Sequence, residues 1–178
     1  MRFVPTSIDG VTIVELEPRR DERGGFVRTF CEEEFAAAGL PFRVVQANLS
    51  SNAAARTLRG LHFQCVPHGE PKIVSCLRGR IFDVAVDVRP NSATYLRWEA
   101  LEMAPGLDRM FCLGEGIAHG FLTLERDSEV HYLMGAPFVA TAAAGLRWDD
   151  PAIGITWPAT PKVISERDRS YNLIERAS

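Results

Sequence analysis

Residues 72–88 read KIVSCLRGRIFDVAVDV. Two apolar runs, KIVSCL (72–77) and RIFDVAVDV (80–88), flank Arg78-Gly79, a pattern that predicts a β-hairpin. In the second run Phe82, Val84, Val86 and Val88 fall on one face by period two, and Asp83 and Asp87 on the other. The same texture extends both ways. VTIVEL (11–16), FVRTF (26–30), RVVQANLS (43–50) and TLRGLHFQ (57–64) precede it. YLRWEALEM (95–103), RMFCL (109–113), HGFLTLE (119–125) and EVHYLM (129–134) follow. RPNSAT, APGLD, GEG and ERDS supply turn chemistry between the later runs. About ten short strands at this spacing predict an all-β sandwich or barrel, with a jelly roll favoured.

Few helices are expected. Thr29-Phe30-Cys31-Glu32 has the form of a capping box ahead of EEEFAAA, with Gly39 and Pro41 as stops. SERDR (165–169) predicts a second short helix. With no repeat or linker, the expectation is one domain over 1–178. Its jelly-roll core would span about 10–160 and a helical tail about 161–178.

Composition narrows the function classes. The 178 residues are 46% apolar, enough for a sizeable core, so disorder over most of the length is not expected. Twenty Lys+Arg against 23 Asp+Glu leave a net charge of −3, which argues against a general nucleic-acid binder or a polybasic membrane anchor. No apolar run approaches the roughly 20 residues of a membrane span. MRFVPTSIDG shows no apolar h-region, so a cytoplasmic protein is expected. Cys31, Cys65, Cys76 and Cys112 form no C-x-x-C pair and are expected mostly as buried, reduced thiols.

Groups able to do chemistry gather in short segments. Arg19 to Arg23 and Arg28 surround the first turn, and Gln46 and Asn48 share one strand face. Arg59 and His62 stand close together and Lys72 follows; His119, His131, Tyr132, Arg167 and Asp168 complete the set. Taken singly, each has an ordinary structural role open to it, because a buried polar group needs only a partner.

Together these segments resemble one family. DERGGF, QANLS, TLRGLHFQ, PKIVSCLRGRIFDVAVDVR, GIAHGF, GLRWDDPAIGITWP and SERD, in that order, are similar to the dTDP-4-dehydrorhamnose 3,5-epimerases. The resemblance runs from about residue 5 to residue 170. It implies a cupin-type jelly roll, a homodimer and no cofactor or metal. His62-Phe63-Gln64 fits the last point, since Gln stands where a metal-binding cupin places its second His.

The implied reaction is epimerisation at C3, C5 or both of a nucleotide-linked 4-keto-6-deoxyhexose. The resemblance implies His62 as base, Asp168 as its carboxylate partner, Lys72 beside the C4 oxygen and Tyr132 as the acid on the opposite face. It places Arg59 and His119 near the diphosphate and Arg167 at a further substrate contact. Arg23, Phe26, Arg28, Gln46 and Asn48 would line the nucleotide end, with the early turn coming from a neighbouring subunit. Phe138 would stack on the base.

Departures from the family pattern bear on recognition. Arg28 and Ala143 stand where many members carry Glu, Leu133 where a Lys is common, and Gly114 where a Pro is common. His131 beside Tyr132 is also unusual; a second polar contact and a strand His bonded to a neighbour are both open. Single-carbon epimerisation, another nucleotide and a non-catalytic sugar-nucleotide-binding cupin remain as alternatives.

Overall fold

Arg78-Gly79 closes no hairpin in the computed structural model, which describes residues 1–175. The first strands are β1 (Arg2–Pro5), β2 (Val11–Glu15), β3 (Arg19–Asp21) and β4 (Gly24–Phe26), followed by helix α1 (Glu32–Ala37). Then come β5 (Gln46–Asn52), β6 (Thr57–Gln64), β7 (Lys72–Arg78), β8 (Ile81–Asp87) and β9 (Trp98–Met103). β10 (Arg109–Leu113), β11 (Ile117–Thr123), β12 (Ser128–Met134) and β13 (Ala143–Gly145) lead to β14 (Val163–Ile164) and helix α2 (Glu166–Ser170).

One sheet has the order β1-β2-β10-β7-β12-β5 and the other β13-β6-β11-β8-β9. β7 pairs with β10 and β12, whereas β8 pairs with β11 and β9. The Arg78-Gly79 turn therefore carries the chain from one sheet to the other. Gly79 sits at φ +71°, and a Cβ there would lie 2.4 Å from Ser128 Oγ, so the crossing needs glycine. β5 to β6, β10 to β11 and β11 to β12 cross between sheets in the same way. This is the cupin-like jelly roll.

Three apolar layers hold it. Val74, Phe111, Leu113, Ile81, Ala85 and Phe121 meet between the sheets. Phe35 of α1 covers Val14, Ile73 and Met110 on the outer side of the first sheet. Ile153 and Trp157 cover Val84, Val86 and Phe82 on the outer side of the second. The valine face of β8 thus lies under the C-terminal segment. Asp83 belongs to the face that also carries Ile81 and Ala85.

Several local expectations need correction. FVRTF is not a strand beyond Phe26, which pairs with Arg19 in the two-stranded β3–β4 hairpin. The capping box does not form: the N-cap is Cys31, with no side-chain cap bond, and Glu32, Glu33 and Glu34 instead complement the helix dipole. The tail is helical only at α2, because Val163 and Ile164 pair with β6; its last residues, 176–178, lie outside the described residues. Among the cysteines only Cys76 and Cys112 are buried; Cys65 is exposed where β6 ends.

Asp87, fully buried, ties down the loop after β8. It accepts from Arg89 N–H (3.0 Å), Arg89 Nη2 (2.8 Å), Ser92 Oγ (2.5 Å) and Thr94 Oγ1 (2.6 Å). Burial alone would raise this carboxyl, but these bonds outweigh it and hold it well below the usual range. A depressed folded value contributes stability that is full above the unfolded value near ~4 and drains away as pH falls through the folded one. Asp87→Asn is expected to cost about 3 kcal/mol in urea melts at pH 7, with a smaller difference from wild type at acid pH. An equal loss at every pH would contradict that account.

Candidate active site

A close contact between two glycines joins the strands that carry His62 and His119. β6 pairs with β11, placing His62 opposite His119. Gly60 sits at φ +120°, and a Cβ on it would come within 2.5 Å of Gly120 Cα. No side chain fits between the strands there.

β14 then closes a long gap in sequence. It runs parallel to β6, pairing Val163 with Thr57 and Ile164 with Leu58, and so delivers Ser165 and α2 to the site. Ser165 Oγ caps the helix by accepting from Asp168 N–H at 3.1 Å. Asp168 is only 4% exposed and is no surface cap. Its Oδ1 lies 2.7 Å from His62 Nε2, and its Oδ2 accepts from Gly60 N–H at 3.2 Å. Burial would raise the Asp168 carboxyl, but the bonds from His62, Gly60 and Ser165 prevail and hold it below the ordinary range. An ionised Asp168 only accepts, so His62 Nε2 is the donor, which in a neutral imidazole leaves the lone pair on Nδ1.

The facing wall comes from the other sheet. Tyr132 projects from β12, with its ring edge-on to His119 at 5.8 Å between centroids. Burial and the nearby Asp83 carboxylate push its phenol far up, against a smaller opposing pull from Arg59, so Tyr132 keeps its proton. His119 Nε2 lies 2.8 Å from Asp83 Oδ1 and 2.9 Å from Oδ2, and both residues are buried. Burial raises the Asp83 carboxyl, while His119 and Lys72 pull it the other way. Lys72 Nζ is 2.8 Å from Glu70 Oε1, another buried pair.

These groups border a cleft with two lobes, of about 570 and 400 Å³, which share His62, His119, Tyr132 and Arg167. Arg59 and Asp168 line the larger lobe, and Gln46, Asn48, Lys72, Phe138 and Ala143 the smaller. Arg59 Nε donates to Asn52 Oδ1 at 2.8 Å and Arg167 Nε to Tyr171 Oη at 2.9 Å. Phe138 is 60% exposed and its backbone N–H donates to Gln46 Oε1 at 2.9 Å. The cleft therefore gathers ten of the thirteen sequence-predicted residues.

Arg23, Phe26 and Arg28 line neither lobe. Arg23 pairs with Asp21 on the β3–β4 hairpin, Phe26 is 77% exposed, and Arg28 pairs with Glu34 at 2.7 Å. His131, alternating with Tyr132 along β12, lines neither lobe either.

Sequence reasoning missed Glu70, Asp83 and Gln64. The only hint of Asp83 was its place on the second face of β8. Gln64 is a strut: its Oε1 accepts from Val139 N–H at 2.6 Å and its Nε2 donates to Pro137 O at 3.2 Å, fixing the turn that carries Phe138. Among the described residues no group of three or more His, Cys, Asp or Glu is disposed to hold a metal ion.

The model of the dTDP-4-dehydrorhamnose 3,5-epimerase family matches residues 5–176. The chain belongs to that family. The dTDP-4-dehydrorhamnose 3,5-epimerase of Methanothermobacter thermautotrophicus is 45% identical over 174 residues, covering 96% of this chain and 92% of that one. The dTDP-4-dehydrorhamnose 3-epimerase of Streptomyces niveus is 38% identical, covering 99% of this chain and 86% of its own. Among solved structures, the 3,5-epimerase of Legionella pneumophila in complex with dTDP-4-keto-L-rhamnose superposes with a TM-score of 0.91 at 32% identity. It covers 97% of this chain and 92% of that one. Members of this epimerase family thus share both the sequence pattern and the jelly roll described above.

Proposed function

We propose that this epimerase-family chain inverts C3 and C5 of a dTDP-linked 4-keto-6-deoxyhexose in deoxysugar synthesis. One observation carries the reading. His62 and Tyr132 enter one cleft from opposite sheets, His62 backed by a buried carboxylate and Tyr132 held as a neutral phenol.

A C4 ketone acidifies the protons on C3 and C5. His62 Nδ1 takes one of them, and Asp168 stabilises the resulting imidazolium. The carbanion's electron pair moves into an enolate whose oxygen faces the Lys72 ammonium. The Tyr132 phenol returns a proton to carbon from the other side, which inverts the centre; solvent then resets both groups. Arg59, His119 and Arg167 supply cationic or donor contacts for the diphosphate. The test is the product. Sugar-ring proton couplings followed by NMR are expected to report inversion at both carbons, and an unchanged sugar would overturn the reading.

The Streptomyces niveus relative is named for C3 alone, which favours a second reading in which only that centre inverts. Inversion confined to C3 in the same spectra selects it.

The hairpin motivates the proposal about assembly. Because Arg23, Phe26 and Arg28 line neither lobe of their own cleft, we propose that they enter the cleft of a second copy, which would make the active unit a homodimer with shared sites. Dilution to monomer is then expected to raise KM about tenfold or more, since each lost charged contact is worth ~1.5–3 kcal/mol. An unchanged KM in a verified monomer would contradict sharing. No described helix is long and apolar enough to cross a membrane, and the setting proposed for the reaction is the cytoplasm.

A further inference from the structure

Lys72 has two carboxylates competing for it. Glu70 holds its ammonium at 2.8 Å, with the two side chains only 6% and 10% exposed. Asp83, on β8 in the facing sheet, also feels the Lys72 charge, yet its hydrogen bonds are to His119. The other ionisable groups bordering this lobe are His62, His119, Tyr132 and Arg167.

A lysine head group sits on a four-carbon stem and has three donors free to rotate. Packing alone does not aim them. A carboxylate fixed at hydrogen-bond distance occupies one donor and so sets the directions of the other two. Glu70 reaches this position because it lies two residues before Lys72, across Pro71, and both side chains border the same lobe. Without Glu70 the remaining carboxyl that Lys72 acts on is Asp83, which His119 already engages and which does not line the lobe. A swing toward it would move the cation off the lobe and loosen the Asp83–His119 pair.

We infer that Glu70 is a positioning residue: it holds Lys72 against the cleft and away from Asp83, and affects turnover only through Lys72. The inference rests on the proposed role of Lys72 beside the enolate oxygen. Glu70 borders the lobe with its carboxylate engaged by Lys72, so substrate binding is expected to change little.

The test uses the full chain and dTDP-4-keto-6-deoxyglucose, with turnover read as deuterium wash-in so that slow variants remain measurable. Glu70→Ala is expected to lower kcat about 10- to 100-fold, the scale of a misplacement near ~1 Å, with KM within about threefold of wild type. Glu70→Gln, which keeps an oxygen acceptor for the ammonium, is expected to recover part of the loss. In a Lys72→Met background, Glu70→Ala is expected to lower turnover by less than about twofold, because residues acting as a unit are not additive.

Wild-type kcat in Glu70→Ala, or its full effect persisting without Lys72, would overturn the inference. So would a rise in KM with kcat unchanged. If Glu70→Ala does not fold, the nearly isosteric Glu70→Gln carries the same test, with a fall in kcat at constant KM expected. Lys72→Met alone separates the two levels. Wild-type turnover there removes the role proposed for Lys72, and the inference with it. A slow Lys72→Met beside a fully active Glu70→Ala removes the inference alone.

Discussion

His62→Ala is expected to slow deuterium exchange at C3 and C5 about a thousandfold while substrate still binds. A positioned general base contributes about 10²–10⁴-fold, and no other imidazole in the cleft is free to replace this one. His119 is committed to Asp83 through a buried pair. His131 lines neither lobe. The diphosphate contacts proposed for Arg59 and Arg167 do not involve His62, so Kd for the nucleotide sugar is expected to stay within a few-fold. Exchange rates followed by NMR, with binding by calorimetry, check both halves. Exchange at the wild-type rate would remove His62 as the base.

Tyr132→Phe separates removal of the proton from its return. His62 and Asp168 stand on β6 and α2 and make no hydrogen bond to Tyr132, so proton abstraction should survive the change. Without the phenol, the enolate is reprotonated by the imidazolium on the face it left. The expected result is deuterium entering the sugar without inversion, with the inverted product formed about 10²–10⁴-fold more slowly. The raised phenol adds a pH signature. Tyr132 stays protonated throughout the neutral and mildly alkaline range, so its ionisation is not expected to produce an alkaline limb below pH 10 in wild-type turnover. Inversion at the wild-type rate in Tyr132→Phe would show that the returning proton comes from elsewhere.

The strands were legible because period-two runs bounded by turn residues leave few other readings. Their pairing was not. KIVSCL and RIFDVAVDV look alike whether the chain returns within one sheet or rolls into the other. What distinguishes the two is pairing with strands later in the chain, β7 with β10 and β12 and β8 with β11 and β9. The capping box failed for a local reason: the helix begins at Glu32, one residue after Cys31, so Thr29 lies outside it.

The His62–Asp168 pair could be named only through family resemblance, since the β6–β14 pairing that joins them is a property of the fold. Glu70 went unnoticed because a carboxylate beside Pro71 looks like a solvated turn residue. Only its burial against Lys72 sets it apart. Arg23, Phe26 and Arg28 were legible as a group, yet their own chain does not bring them to the cleft.

The most direct test of the central claim is to incubate wild-type enzyme with dTDP-4-keto-6-deoxyglucose in deuterium oxide and follow C3 and C5 by NMR. Abstraction by His62 and return by Tyr132 predict deuterium at both carbons with inversion. The absence of exchange at either carbon, with this or any other 4-keto-6-deoxy sugar nucleotide, would contradict the account.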